Sequence, residues 1–164
     1  MTILLNSIGN AEIRPVYLDK LRRSVKSIKN KLCKTCQIRI EKNALRLFDC
    51  KNPHCRELLD EHAPLIFDSI SNEDHIHFEI LTDILNEMEI PYFHDNKLVR
   101  GLDYYNGVTF EYLPKGKIGS QETLGGGGQY DSLSTLIGKK QINGVGFAFG
   151  VDRIAELLED KYGH

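Results

Sequence analysis

The chain has 164 residues, 41% of them hydrophobic, so it can bury roughly 70% of its unfolded surface as one compact unit or a core with an insertion. The net charge of -2 conceals a segregation, because Arg14 to Arg46 carries eleven of the 21 Lys and Arg but only two of the 23 acids; such a stretch suits nucleic acid, or by default acidic parts of its own chain. No segment approaches the roughly 18 apolar residues of a membrane span, and the opening MTILLNSIGN has no signal- or transit-peptide pattern, so a cytoplasmic setting with reduced thiols is expected.

In chain order, Ile3 to Ile8 is a short apolar run that can form a strand. From Pro15 to Leu32, Leu18, Leu21, Val25, Ile28 and Leu32 recur at three and four residues with Lys and Arg between them, which predicts an amphipathic helix with a basic outer face. Pro15 fits its first turn, where the missing N–H costs nothing. Cys36 to Asn43 and Leu58 to Ile70 read as helical or irregular. A second clear helix is predicted from Glu73 to Met88, with Ile76, Ile80, Leu81, Ile84, Leu85 and Met88 as one stripe and capping-box spacing between Ser71 and Asp74. Pro91 ends it.

Beyond Pro91 the pattern becomes sheet-like, with Val108, Phe110 and Tyr112 alternating with Thr109, Glu111 and Leu113. Asn143 to Phe149 is a further apolar run, and Val151 to Tyr162 reads as a closing helix with Ile154, Ala155, Leu157 and Leu158 inward. The expected class is α+β, with an antiparallel sheet interrupted by a helical insertion.

Three stretches carry candidate chemistry: Leu98 to Tyr105 (LVRGLDYY), Gly125 to Asp131 (GGGGQYD) and Gly144 to Arg153 (GVGFAFGVDR). Arg100, after an apolar pair that suggests a buried strand, can fork onto phosphate or carboxylate oxygens, or form a structural ion pair with Asp103. Tyr104 and Tyr105 beside it can wall a polar ring; on a strand they would point to opposite faces, so one faces a ligand and the other the core. The glycines can form a flexible hairpin loop or let a ligand approach main-chain N–H groups. They are not a Rossmann fingerprint, because Tyr130 takes the third glycine's place, and Gly138 with Lys139 lacks the P-loop's first glycine. Arg153 opens a helix, where the dipole disfavours it, so an acid or an anionic ligand is expected to compensate. The histidines show no catalytic pairing.

Cys33-x2-Cys36, thirteen residues, then Cys50-x4-Cys55 is close to structural zinc spacing, with His54 as a further candidate ligand. The reading preferred from sequence is that these are small buried hydrophobes without metal.

The three stretches together resemble the C-terminal half of the catalytic core of histidyl-tRNA synthetases, class II aminoacyl-tRNA ligases. The segment LLNSIGNAEIRPVYLDKL resembles the part of that family just after motif 2, and LCKTCQIRIEKNALRLFDCK resembles its helical insertion. The resemblance implies a partial class II core at 1–14 and 92–164 and an insertion at 15–91. It implies that Arg100 stabilises the α-phosphate during attack by the histidine carboxylate, and that Tyr105 and Tyr130 line the histidine pocket, with Tyr104, Gly126 and Gly127 beside them. Gly150 and Arg153, in motif 3, would contact ATP. The implied substrates are histidine, ATP with Mg2+ and tRNA(His), and the family acts as a homodimer.

Gln129 stands where the family usually has arginine, and Asp152 where glutamate is common. Motifs 1 and 2 would lie upstream of Met1 and the anticodon-binding domain after His164, so the isolated chain is expected not to form histidyl-adenylate. The competing expectation is a non-catalytic synthetase-like regulatory or sensor module that binds histidine or tRNA; one half of a split enzyme is a third.

Overall fold

The computed structural model describes residues 1–100, 104–114, 123–138 and 140–163. Five strands, β1 (Thr2–Ser7), β2 (Tyr92–His94), β3 (Val108–Leu113), β4 (Gly125–Gln129) and β5 (Val145–Phe149), form one sheet in the order β2-β1-β3-β4-β5. All pairs are antiparallel except β1 with β2, which is parallel because the long insertion returns the chain to the same end of the sheet. The class is α+β, as expected; the parallel edge is a detail that alternation does not reveal.

The segment between β1 and β2, which includes the expected insertion, holds α1 (Ile13–Ser24), α2 (Lys34–Lys42), α3 (Pro53–His62) and α4 (Asn72–Glu87), with 3-10 turns at Lys29–Lys31, Ala44–Leu47 and Phe67–Ser69. The helix predicted to Leu32 stops at Ser24, whose hydroxyl donates to the Leu21 carbonyl at 2.8 Å, a local bond that competes with helix propagation. Val25, Ile28 and Leu32 are nevertheless buried with Tyr17, Leu21, Cys36, Ile40 and Leu47 in the main core. Burial was legible from the spacing, and the continuous helix was not. Asn10 closes the start of α1, its side-chain oxygen accepting the N–H groups of Glu12 and Ile13 at 3.0 Å.

The capping box of α4 forms as predicted: Asp74 N–H donates to Ser71 Oγ at 3.1 Å, and Ser71 N–H to Asp74 Oδ2 at 3.3 Å. Its buried face differs from the predicted stripe. Phe78 and Leu85 are buried with Leu5 and Val108, whereas Ile76, Ile80, Ile84 and Met88 are exposed.

Antiparallel partners share a face. One face therefore carries Leu4 and Asn6, Thr109, Glu111 and Leu113, then Gly126, Gly128, Gly146 and Ala148. The insertion core packs on this side. The other face carries Leu5, Val108 and Phe110 under α4, and continues to Phe147 and Phe149, which are exposed. Of the two alternating sets on β3, the one holding the polar residues is the more deeply buried: Thr109, Glu111 and Leu113 are each 6% exposed or less. Helix α6 (Val151–Tyr162) forms as predicted, but Ala155 and Leu158 are exposed, so it does not close a core within the described residues. A short α5 (Leu133–Ile137) links β4 to β5.

Candidate active site

Arg100 leaves an irregular segment, not the strand its neighbours Leu98 and Val99 suggested, although both are buried. Asn6 pins this segment: its side-chain amide, buried beneath the sheet, donates to the Leu98 carbonyl at 2.9 Å and to the Asn96 carbonyl at 3.3 Å. Arg100 is thereby held over the sheet face that carries Glu111. Its Nη1 donates to Glu111 Oε1 at 2.6 Å, and the Thr123 hydroxyl donates to Glu111 Oε2 at 2.8 Å. The acid facing Arg100 is therefore Glu111, eleven residues away on β3; Asp103 and Gly101 lie outside the described residues. An acid among the alternating positions of β3 was the available signal, but alternation alone does not say which set faces inward.

The glycine run is not a loop; it is the strand β4. Its glycines let other groups lie against the strand. A Cβ on Gly126 would sit 2.6 Å from the Phe110 carbonyl and 3.3 Å from Arg100 Nη1, and one on Gly128 would sit 3.2 Å from the Tyr105 ring. Arg100 and Tyr105 thus occupy consecutive same-face positions on a floor without side chains. Gly127 faces the opposite side of the sheet, so of the two glycines predicted for the pocket only Gly126 is on the site face, and Gly128 accompanies it. Gln129 is on the opposite face too, its amide donating to Asp131 Oδ2. The family's arginine at that position would not point toward Arg100 from there.

Tyr104, Tyr105 and Tyr130 come together. Ring centroids are 5.2 Å apart for Tyr104 and Tyr105, 6.0 Å for Tyr104 and Tyr130, and 6.3 Å for Tyr105 and Tyr130. Residues 104 to 107 are not in a strand, so the adjacent tyrosines need not point apart, and both pack on the main core cluster. Tyr105 is buried, and burial raises its phenol pKa, with Tyr104 and Tyr130 adding to the shift and Arg100 opposing it. Tyr130, half-buried, pairs its N–H with the Gly144 carbonyl at 2.8 Å, and a Cβ on Gly146 would lie 2.9 Å from its hydroxyl. Two glycines of the third motif therefore make the slot for this ring.

Arg153, in the first turn of α6, donates from Nη1 to the Thr123 carbonyl at 2.5 Å. The compensation expected from an acid or anion comes here from a backbone dipole. Gly150 caps the helix with its N–H spent on the Leu124 carbonyl at 2.8 Å. Arg100, Glu111, Thr123 and Arg153 form one chain of contacts across the sheet.

On the same face a cleft of about 650 Å3 runs between insertion and core, with Leu4, Glu111 and Leu113 on its floor and Lys51, Arg56 and Lys97 among its walls. Within the basic segment some charge is spent locally, in Arg23 with Asp19, Lys29 with Glu41 and Arg46 with Asp49. Lys26, Lys31, Lys34 and Lys42 are exposed.

The four cysteines converge, with all four Sγ atoms within 4.8 Å of one another. His54 is exposed and is not among these ligand atoms. The Cys36 backbone N–H lowers the Cys33 thiol to about 7, whereas burial raises those of Cys36 and Cys55. No helix among the described residues is long and apolar enough to cross a membrane.

A sequence model of the family described as histidyl-tRNA synthetase matches residues 18–154. Curated relatives include the histidine–tRNA ligase of Campylobacter hominis, 41% identical over 160 residues, covering 98% of this chain and 38% of the relative. That of Moorella thermoacetica is 43% identical over 155 residues, covering 94% of this chain and 36% of the relative. Among solved structures, apo Staphylococcus aureus histidyl-tRNA synthetase superposes with a TM-score of 0.70 at 29% identity, covering 98% of this chain and 38% of that one. The chain spans less than two fifths of the length of the relatives it matches, and by both the family match and this identity it belongs to the histidyl-tRNA synthetase family.

Proposed function

We propose that this chain supplies part of a histidine–tRNA ligase active site, in which histidine is activated by ATP and then transferred to tRNA(His). The observation that carries the reading is the placement of Arg100 and Tyr105 on the glycine floor of β4, with Tyr130 at 6.3 Å from Tyr105 between centroids. When a carboxylate attacks the α-phosphorus of ATP, negative charge grows on the non-bridging oxygens, and a guanidinium already fixed there stabilises it without reorganising. Glu111 fixes that guanidinium, and Arg100, with a side chain 27% exposed, remains open on one side. The tyrosines provide aromatic walls and hydroxyl groups for an imidazole. Arg153 and Gly150 would lie toward ATP.

Mg2+ would arrive with ATP as substrate. Glu111 has its oxygens committed to Arg100 and Thr123, so this acid is a poor direct ligand for the ion. Residues 1–14 and 92–164 would form the partial catalytic core and 15–91 the insertion, whose exposed lysines suit the tRNA phosphates. A cytoplasmic location and a homodimeric full enzyme belong to the same proposal, as does the inactivity of the 164 residues by themselves in forming histidyl-adenylate.

Calorimetric titration with a non-hydrolysable histidyl-adenylate analogue tests this reading. Binding is expected for the wild-type chain, weakened roughly tenfold by Tyr130→Ala or Arg100→Lys, since each removes one directional contact. Equal binding of a leucyl-adenylate analogue would overturn the histidine assignment. Histidine-dependent ATP–pyrophosphate exchange by the isolated chain would overturn its inactivity.

A further inference from the structure

We infer that Cys33, Cys36, Cys50 and Cys55 form a structural tetrathiolate zinc site that ties together the insertion. The four residues come from separate points of the fold: Cys33 caps α2 and Cys36 lies in its first turn, Cys50 follows the 3-10 turn Ala44–Leu47, and Cys55 lies in the first turn of α3. Their Sγ atoms are nonetheless all within 4.8 Å of one another. A tetrahedron with Zn–S bonds of about 2.3 Å has S···S edges of about 3.8 Å, and the Cys33 to Cys50 sulfur distance is 3.9 Å.

This geometry reverses the preference drawn from spacing alone. Cysteines used as small hydrophobes pack against aliphatic and aromatic carbon; nothing in that role brings four sulfurs to a single point. The 3.9 Å separation of Cys33 and Cys50 is well beyond a disulfide bond, and all four cysteines are free. A four-sulfur tetrahedral set selects zinc among the common divalent ions, with iron as the other candidate for the same geometry.

The surroundings suit the charge. Four thiolates around a divalent ion leave a net charge of minus two, and the first turns of α2 and α3 both meet at the cluster, presenting backbone N–H groups. The Cys33 N–H already donates to Cys55 Sγ at 3.2 Å. Lys34, Lys51 and Arg56, each next in sequence to a cysteine, are exposed around it. The metal would thus account for part of the basic character of this segment. Binding would form four Zn–S bonds while the thiols release their protons to solvent, with no change of oxidation state.

Elemental analysis of the full chain, purified under reducing conditions without chelators, should find stoichiometric zinc. Co2+ added after the zinc has been stripped under reducing conditions should give strong thiolate-to-cobalt charge-transfer bands with the visible spectrum of a tetrahedral site, and added Zn2+ should then abolish them. Cys55→Ser should lose the metal while His54→Ala keeps it; if Cys55→Ser fails to fold, the Co2+ spectrum of the wild type still decides. Metal-free protein with no tetrahedral Co2+ spectrum would overturn the proposal. So would stoichiometric iron in place of zinc, or mass spectrometry showing the thiols paired as disulfides.

Discussion

Arg100 Nη1 and Glu111 Oε1 are 2.6 Å apart, and the two side chains differ in exposure, 27% for the arginine against 8% for the acid. That difference gives the pair a direction. Removing the arginine strands a charged carboxylate under the sheet with, among the described residues, the Thr123 hydroxyl still donating to it, whereas removing the acid's charge leaves a guanidinium that can turn toward water. Arg100→Met should therefore destabilise by about 2 to 4 kcal/mol and Glu111→Gln by about 1 kcal/mol. Urea unfolding of both variants and the double variant measures the difference; equal costs would show that solvent reaches Glu111.

The floor of the site should be intolerant of a methyl group in an uneven way. At Gly126 the nearest neighbour of an added Cβ is the Phe110 carbonyl at 2.6 Å, a ladder atom that cannot move aside, whereas at Gly128 the nearest contacts are at 3.2 Å and include the Tyr105 ring. Gly126→Ala should cost about 3 kcal/mol and Gly128→Ala about 1 kcal/mol. Chemical denaturation orders the two, and the reverse order would sink the account.

His94 lies against Phe67 at 4.3 Å and Phe78 at 4.7 Å between ring centroids, and its Nε2 is 3.3 Å from Asn6 Oδ1. Burial lowers its pKa below the usual 6.5, with Asp95 pulling the other way. The unfolded chain then binds the proton more readily than the folded one. Its contribution is full above pH 6.5 and is lost as pH falls below that value toward the depressed folded pKa. The ring is partly exposed, so the dependence should be shallow. Thermal midpoints from pH 7.5 to 5 should decline less in His94→Asn than in the wild type.

If the chain contacts tRNA as proposed, phosphate contacts from its basic helical segment should appear in the salt dependence of binding. Lys26 and Lys34 are exposed, whereas Lys29 is drawn toward Glu41 at 2.6 Å. The double variant Lys26→Glu, Lys34→Glu should bind tRNA more weakly and lower the salt slope by about 2. Lys29→Glu alone should do less, and an unchanged slope in the double variant would remove the insertion from the tRNA interface.

Much of the fold was readable because local patterns coincide with the burial that tertiary packing rewards. The three-and-four spacing from Leu18 to Leu32 marked core residues even where the helix ended early. The Ser71–Asp74 cap was legible because both partners lie within one turn. The α4 stripe was misassigned because Phe78 and Ile80 satisfy the same apolar code on different sides of the helix, and only the position of β1 and β3 chooses between them.

By itself the sequence determined the class, the run of helices before the sheet-like part, the cysteine spacing and the family resemblance, since these reside in local periodicity and in short motifs. Only the tertiary structure decided that the glycine run is a strand, that Glu111 faces Arg100, that Gln129 points away from it, and that four cysteines meet. Each of these depends on strand register or on contacts between residues far apart in the chain, and a one-residue change in register would send every such side chain to the other face.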